Sequence, residues 1–113
     1  MYPEITGFET KEATLYTEGG IVPGMTVALK ENCTAVKAAS GEKFCGVCTD
    51  VRGRYITVAL KGYAEASYSG TAPVVGYNTL AGDGNGNAAV KDGGREILVA
   101  AVDTQNKKIS IIL

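Results

Sequence analysis

Apolar and polar residues alternate with a period of two along much of this chain, the pattern that a half-buried β-strand produces. The alternation is clear in Met25–Leu29, Arg54–Leu60 and Lys61–Ser69. Further strands are predicted at Glu12–Thr17, Thr34–Lys37, Phe44–Thr49 and Ile109–Leu113. The predicted inward-facing sets are Met25, Val27 and Leu29; Ile56, Val58 and Leu60; Ala64, Ala66 and Tyr68; and Ile109, Ile111 and Leu113. No segment has an apolar stripe of helical period.

The pattern of residues 44–60 recurs without a gap in residues 97–113, 53 positions later. In both segments an apolar run, an Asp, a polar turn and an alternating strand follow one another, and an Ala-Val-Lys triplet precedes each of them. The identical pairs are Asp50 with Asp103, Ile56 with Ile109, Leu60 with Leu113, and Ala35–Lys37 with Ala89–Lys91. Because several matches occur in order, the chain is predicted to contain an internal repeat.

These observations predict an all-β protein of seven to nine short strands, a small barrel or sandwich built from two diverged β-meander repeats with little or no helix. Residues 1–20 are predicted to form an N-terminal arm and a first strand. Residues 21–113 are predicted to form one β domain, with repeats at about 21–60 and 73–113. The C-terminal strand is apolar and uncharged, so it must pair inside the fold or against another subunit.

Composition argues against several functions. The 113 residues contain no His, the commonest general base and metal ligand, which argues against an enzyme. The net charge is −1 and the 11 Lys and Arg are scattered, so we expect no nucleic-acid partner. No apolar run reaches membrane-spanning length, and three Cys suit a reducing compartment. We therefore expect a soluble product of the cytoplasm, with no membrane association.

Two motifs could hold a metal ion. Cys45 and Cys48 form a C-x-x-C pair, with Cys33 upstream, but on a strand positions 45 and 48 would face opposite ways. We interpret these cysteines as small packing residues. Residues 83–87 begin like a calcium-binding loop, but Ala88 and Gly94 stand where that loop needs Gly and an acid. We favour a turn over a calcium site, and we expect no metal, no cofactor and no catalytic residue.

Other polar and aromatic residues also have ordinary explanations. Residues 52–54, Arg-Gly-Arg, are expected to be a charged hairpin turn, and Asp50 and Asp103 are expected to cap turns. The best interface candidates are tyrosines, because the ring offers a large contact area with a polar tip. These are Tyr55, Tyr63, Tyr68 and Tyr77, with partial burial in the core as the alternative.

The segments Val22–Leu29, Gly41–Cys48, Arg54–Leu60 and Tyr68–Tyr77, with the Lys-Gly-Tyr step at 61–63, resemble the decoration or capsid-cement proteins of tailed phages and prophages. The resemblance covers most of residues 20–113 and lies in pattern and order. It implies a β-rich homotrimer on the outer capsid surface, bound to the major capsid protein and made in the host cytoplasm, with no catalytic residues or cofactor. Residues 1–10 would then be an arm that adds a strand to a capsid subunit.

Two other functions remain open. The chain could be a receptor- or carbohydrate-binding module of a phage fibre or surface protein, which a cluster of exposed aromatic residues beside a shallow groove would favour. It could also be an enzyme with a Cys nucleophile, which requires a reactive Cys45 or Cys48.

Overall fold

The computed structural model describes residues 11–113 and contains ten β-strands in that range. No helix occurs in this range, so the predicted all-β class is confirmed. The strands are β1 (Lys11–Thr17), β2 (Thr26–Glu31), β3 (Thr34–Lys37), β4 (Gly46–Arg52), β5 (Tyr55–Lys61), β6 (Tyr63–Ser67), β7 (Gly76–Gly82), β8 (Ala88–Val90), β9 (Arg95–Asp103) and β10 (Lys108–Ile112).

The two halves of the chain have the same strand connectivity. Strands β1–β5 form a closed barrel in the order β1-β3-β2-β4-β5, which we call the first barrel, and β6–β10 form a sheet in the order β6-β10-β9-β7-β8, which we call the second sheet. In each half the first strand pairs with the fifth, the fifth with the fourth, the fourth with the second and the second with the third, all antiparallel. The repeat is therefore visible as a repeated topology, which also includes β1 and β6.

The halves differ in how they close. In the first barrel a parallel pairing joins β1 to β3 through Tyr16–Thr34 and Thr17–Ala35. At the equivalent place the second sheet has a single parallel bridge between Tyr68 and Ala88. The second sheet is thus a barrel that is almost closed, and its interior is covered partly by the other half. The predicted division into residues 1–20 and 21–113 includes residues outside the described range and stays a prediction.

A bulge shifts the alignment of the two repeats. In the β4–β5 pair the register skips Thr49, and in the β9–β10 pair it skips Ala100. Matching these bulges makes Asp50 equivalent to Ala101, and Cys48 equivalent to Val99. The gapless alignment, which matched Asp50 with Asp103, is therefore wrong for this strand, because the turn between β9 and β10 is two residues longer than the turn between β4 and β5.

Two clusters of buried side chains form the core. One fills the first barrel and is built around Val27, Cys48, Ile56 and Val58. The other fills the second sheet but also contains residues from the first barrel, Ala28, Val47 and Ala59 among them. Strands β4 and β5 are therefore covered on both faces, one by each cluster, and the two halves share a core.

Most predicted inward faces are confirmed. Val27, Ile56 and Val58, Ala64 with Ala66 and Tyr68, and Ile109 with Ile111 are buried, although β5 departs from strict alternation because Ala59 is buried too. Three further members of the predicted sets are partly buried and pack against the core: Met25, Leu60 and Leu113. Leu29 is the exception, with 55% of its surface exposed. It begins the uncovered end of β2, where Lys30 and Glu31 are also exposed. The C-terminal strand β10 pairs with β6 and β9, so an internal neighbour lies on each side of it.

Candidate functional site

The three cysteines differ in their surroundings. Cys33 is exposed in the turn between β2 and β3, Cys45 is half-buried and Cys48 is buried. Cys45 and Cys48 both contact the core cluster of the first barrel, so the expectation that they face opposite ways is wrong, because β4 begins only at Gly46. Burial raises the pKa of both thiols, which keeps them protonated. Packing is therefore the best account of Cys48.

The loop at 83–87 uses its carboxylate to hold itself together. Asp83 accepts hydrogen bonds from the backbone N–H groups of Asn85 and Asn87 at 2.7 and 3.0 Å, from the Asn87 side-chain amide at 3.0 Å and from the Ser69 hydroxyl at 2.7 Å. Partial burial alone would raise the pKa of Asp83, but these four bonds outweigh it and lower the pKa to about 2. Since both carboxylate oxygens of Asp83 already accept hydrogen bonds from the protein, the loop is better described as a hydrogen-bonded turn than as a calcium site.

This loop also joins the two halves. The backbone N–H of Thr26 donates to the Gly86 carbonyl at 2.9 Å, and that of Gly41 donates to the Gly82 carbonyl at 2.9 Å. A Cβ atom at Gly82 would lie 2.5 Å from the Cβ of Ala38, so only glycine allows this approach. The loop was expected to be an exposed tip, but part of it forms contacts between the two halves.

The remaining polar candidates act locally. Asp103 caps the turn after β9: it accepts bonds from the backbone of Gln105 and from the side chain and backbone of Asn106, and these bonds lower its pKa. Asp50 instead bonds the Arg52 side chain at 3.1 Å on the surface, so its predicted capping role is wrong. The different roles follow from the shifted alignment described above.

The tyrosine candidates separate into core and surface residues. Tyr68 is 3% exposed and belongs to the core of the second sheet, whereas Tyr55 and Tyr77 are exposed. Tyr55 packs beside Tyr16, with ring centroids 5.1 Å apart, and a hydrogen bond with Tyr55 raises the pKa of Tyr16. Tyr16 could not be identified from the sequence, because only the register of β1 and β5 places it opposite Tyr55.

A second group of exposed apolar side chains lies just before β7 and at its start. Val74, Val75 and Tyr77 are 67%, 69% and 69% exposed. The Asn78 side chain holds this loop: it accepts a hydrogen bond from the Val74 N–H at 3.1 Å and donates to the carbonyls of Val74 and Gly76 at 2.7 and 3.0 Å. The apolar side chains are thus presented on a fixed backbone.

Tyr77 also begins a row of large side chains across the outer face of the second sheet. It lies opposite Leu98, Leu98 lies opposite Ile112, and Ile112 lies opposite Tyr63. Leu98, Ile112 and Tyr63 are half-buried, and their strand neighbours Ile97, Val99, Ile111 and Ala64 face the core. We call this row, together with Val74 and Val75, the outer stripe. Only the two tyrosines of the outer stripe were predicted from the sequence as interface residues.

A shallow groove of about 340 Å³, lined mainly by polar residues, lies beside the outer stripe. Its lining residues are Glu65, Ala101, Asp103, Asn106, Lys108 and Ser110. The Tyr63 hydroxyl lies 3.2 Å from a carboxylate oxygen of Glu65 and 3.2 Å from the hydroxyl of Ser110, so the ring borders the groove. A smaller groove of about 290 Å³ continues past Glu65 and Lys108 towards Pro23 and Thr49.

Between Lys11 and Leu113 no three His, Cys, Asp or Glu side chains converge in a way that could hold a metal ion. In the same range no helix is long and apolar enough to cross a membrane. The described residues thus form a small all-β protein whose polar side chains mainly stabilise turns. Its exposed features are two apolar surfaces and a groove lined mainly by polar residues. Comparison with protein-family models, with curated proteins and with solved structures gave no match.

Proposed function

We propose that this protein is a structural protein that decorates and stabilises a phage or prophage capsid. In this role it binds the major capsid protein as a homotrimer on the virion surface, without a cofactor and without a catalytic role. The observation that carries the proposal is the exposure of large apolar side chains on both halves, chiefly Tyr16, Tyr55, Val74, Val75 and Tyr77, since such surfaces serve association. The sequence resemblance to capsid-cement proteins supports the same role.

Many copies on a symmetric shell would convert a modest affinity per site into firm attachment. A rigid β-protein suits this role, because little entropy is lost when a preorganised surface docks. The N-terminal arm, residues 1–10, lies outside the described residues, and its strand addition to a capsid subunit remains part of the proposal.

The test is co-sedimentation of the purified chain with capsids of the phage or prophage whose genome encodes it. We expect saturable binding at a fixed number of copies per capsid, and a higher temperature of capsid disruption. A chain lacking residues 1–10 is expected to bind more weakly. Absence of binding by the full chain would contradict the proposal, and unchanged binding by the shortened chain would exclude the arm.

The second candidate is a receptor- or carbohydrate-binding module, which the groove beside Tyr63 favours. Carboxylate, amide and hydroxyl groups converge there next to an aromatic ring, an arrangement that can bind sugar hydroxyls and stack a sugar ring. A glycan array tests it. Binding that is lost in Asn106→Ala would support this candidate, and absence of glycan binding would exclude a carbohydrate ligand.

A further inference from the structure

We propose that the outer stripe of the second sheet is a self-association surface occupied by a second copy of this chain. The copy would dock head to tail, with its exposed Tyr16–Tyr55 pair against the stripe. This inference identifies a surface for the oligomer in the proposed function, and it rests on that function for the trimeric stoichiometry alone.

The repeat provides the first argument. In the first barrel, the row equivalent to the outer stripe runs from Thr26 through Val47 and Ala59 to Glu12. The pairing positions match strand by strand, so Val47 corresponds to Leu98 and Ala59 corresponds to Ile112. Thr26, Val47 and Ala59 are completely buried, and the last two belong to the core cluster of the second sheet. In the first repeat, therefore, this row is the face that docks onto another β-layer.

In the second repeat the same face has no covering layer. The side chains are larger than their counterparts: Leu98 replaces Val47, Ile112 replaces Ala59, and Tyr63 replaces Glu12. All four members of the row remain partly or largely solvent-accessible. The same row of positions is a packing interface in the first barrel and an exposed apolar row in the second sheet. We therefore infer that a further β-layer covers the outer stripe.

The loop before β7 is already ordered in a form that could make such a contact. Val74 and Val75 continue the apolar surface, and the three hydrogen bonds of Asn78 hold their backbone in place. Fixing the loop before binding reduces the conformational entropy that association costs. Tyrosine is also typical of the residues that contribute most to an interface, and an apolar centre is typical of the buried core of an interface.

The Tyr16–Tyr55 pair is the matching surface on the second copy. Tyr16 and Tyr55 are each 50% exposed. Arg54 precedes Tyr55, and Arg52, which is ion-paired with Asp50, lies opposite Tyr55 in the register. Glu65 and Glu96 flank the outer stripe on the exposed side. Basic residues beside one aromatic surface and acidic residues beside the other favour contact between the two unlike surfaces. A contact between unlike surfaces can close into a ring, as a trimer requires.

The experiment measures solution mass by light scattering for the full chain and three variants. Tyr77→Asp disrupts the stripe, Tyr55→Asp disrupts the partner surface, and Val90→Asp is a matched control at an exposed apolar residue outside both surfaces. We expect a trimer for the unmodified chain and Val90→Asp, and a monomer for the other two, with association weakened at least about 100-fold. Circular dichroism checks that each variant is folded.

A mixing experiment tests the head-to-tail geometry. Tyr77→Asp retains the partner surface and Tyr55→Asp retains the stripe, so an equimolar mixture should form a one-to-one heterodimer. A monomeric unmodified chain, or a Tyr77→Asp variant that stays trimeric, would overturn the proposal. Failure of the mixture to associate would overturn the head-to-tail contact. Capsid binding is read separately: an intact trimer that binds no capsid would contradict the proposed function and leave this inference standing.

Discussion

The carboxylate of Asp83 belongs to a motif that resembles a calcium-binding loop, but its oxygens are occupied by hydrogen bonds from the protein itself. The donors are two backbone N–H groups, one side-chain amide and the hydroxyl of Ser69, which comes from the segment after β6. A carboxylate that accepts several hydrogen bonds is stabilised in its charged form, which is why its pKa falls to about 2. Protonation of Asp83 is therefore expected to weaken the loop that links the two halves.

Asp83→Asn is expected to lower the free energy of unfolding by about 2 kcal/mol, because the amide presents hydrogens to donors that need an acceptor. The folded pKa lies below the ordinary value for Asp, so the contribution of Asp83 is complete above about pH 4 and is lost as the pH falls towards 2. Urea unfolding between pH 2 and 6 measures both effects. Asp92→Asn, at an exposed turn, is the control. An unchanged acid dependence in Asp83→Asn would contradict this prediction.

The cysteines allow a second test at the residue scale. Cys33 is exposed, whereas Cys45 and Cys48 contact the core and burial raises the pKa of each thiol. We expect alkylation at neutral pH to modify Cys33 rapidly and Cys48 only after denaturation, with Cys45 between them. Mass spectrometry with site assignment measures the rates, and Cys33→Ser should remove the fast phase. Rapid modification of Cys45 or Cys48 in the native chain would instead favour the Cys-nucleophile hypothesis.

At the scale of elements, the paired strands depend on residues that leave room for their neighbours. Gly46 begins β4, and a Cβ atom there would collide with the carbonyl oxygen of Ala59 and the side chain of Val58. The backbone of Gly46 does not have a positive φ, so glycine is required by space alone. This contact sets how closely β4 and β5 approach in the register that carries Val47.

Gly46→Ala is expected to lower the free energy of unfolding by about 3 kcal/mol, because a backbone atom has to move to accommodate the methyl group. Gly70→Ala is the comparison: it has φ +73° and open space around its Cα, so only conformational strain of about 1 kcal/mol applies. Denaturant unfolding of the two variants separates packing from backbone strain. Equal losses in the two variants would contradict the steric explanation.

At the scale of the whole molecule, the shared core makes the two halves one folding unit. Val47, Ala59 and Ala28 come from the first barrel but fill the core of the second sheet. Since the second sheet is closed only by one parallel bridge, its interior depends on these residues for cover. The halves repeat a topology without being independent domains.

Val47→Ala is expected to destabilise the whole chain by about 2 kcal/mol while unfolding remains a single transition. The measurement compares far-ultraviolet circular dichroism with hydrogen exchange in β6 and β10. Val22→Ala, at a residue 54% exposed, should change stability by less than about 0.5 kcal/mol. Two separate transitions would show that the halves unfold independently and would refute the common core.

The existence of the strands could be predicted because alternation is a local property. The predicted Thr34–Lys37 is a strand with those limits, and the predicted burial of Ile56, Val58, Ala64 and Ala66 is confirmed. The position of the bulges could not be predicted, because a gapless match of side-chain types does not reveal one skipped residue in a pairing. That error led to the prediction that both aspartates cap turns, whereas of the two only Asp103 does so.

The candidate surfaces were only half predictable for the same reason. Tyr55 and Tyr77 were identified by residue type. The other members, Tyr16, Leu98 and Ile112, form part of a surface only through the cross-strand neighbours that the strand register gives them. One available signal was the run Ile97–Val99, in which apolar residues occupy both faces of a strand. Sequence alone cannot say which of these faces lies inside the fold.

The sequence by itself determined the all-β class, the repeat and most inward faces, because each follows from the spacing of apolar residues along a strand. Tertiary structure alone decided that the first half closes completely, that the outer face around Val47 and Ala59 is buried, and that the equivalent face around Leu98 and Ile112 is accessible. These outcomes depend on contacts between residues far apart in the chain, and two equally apolar faces give no local sign of which one another layer will cover.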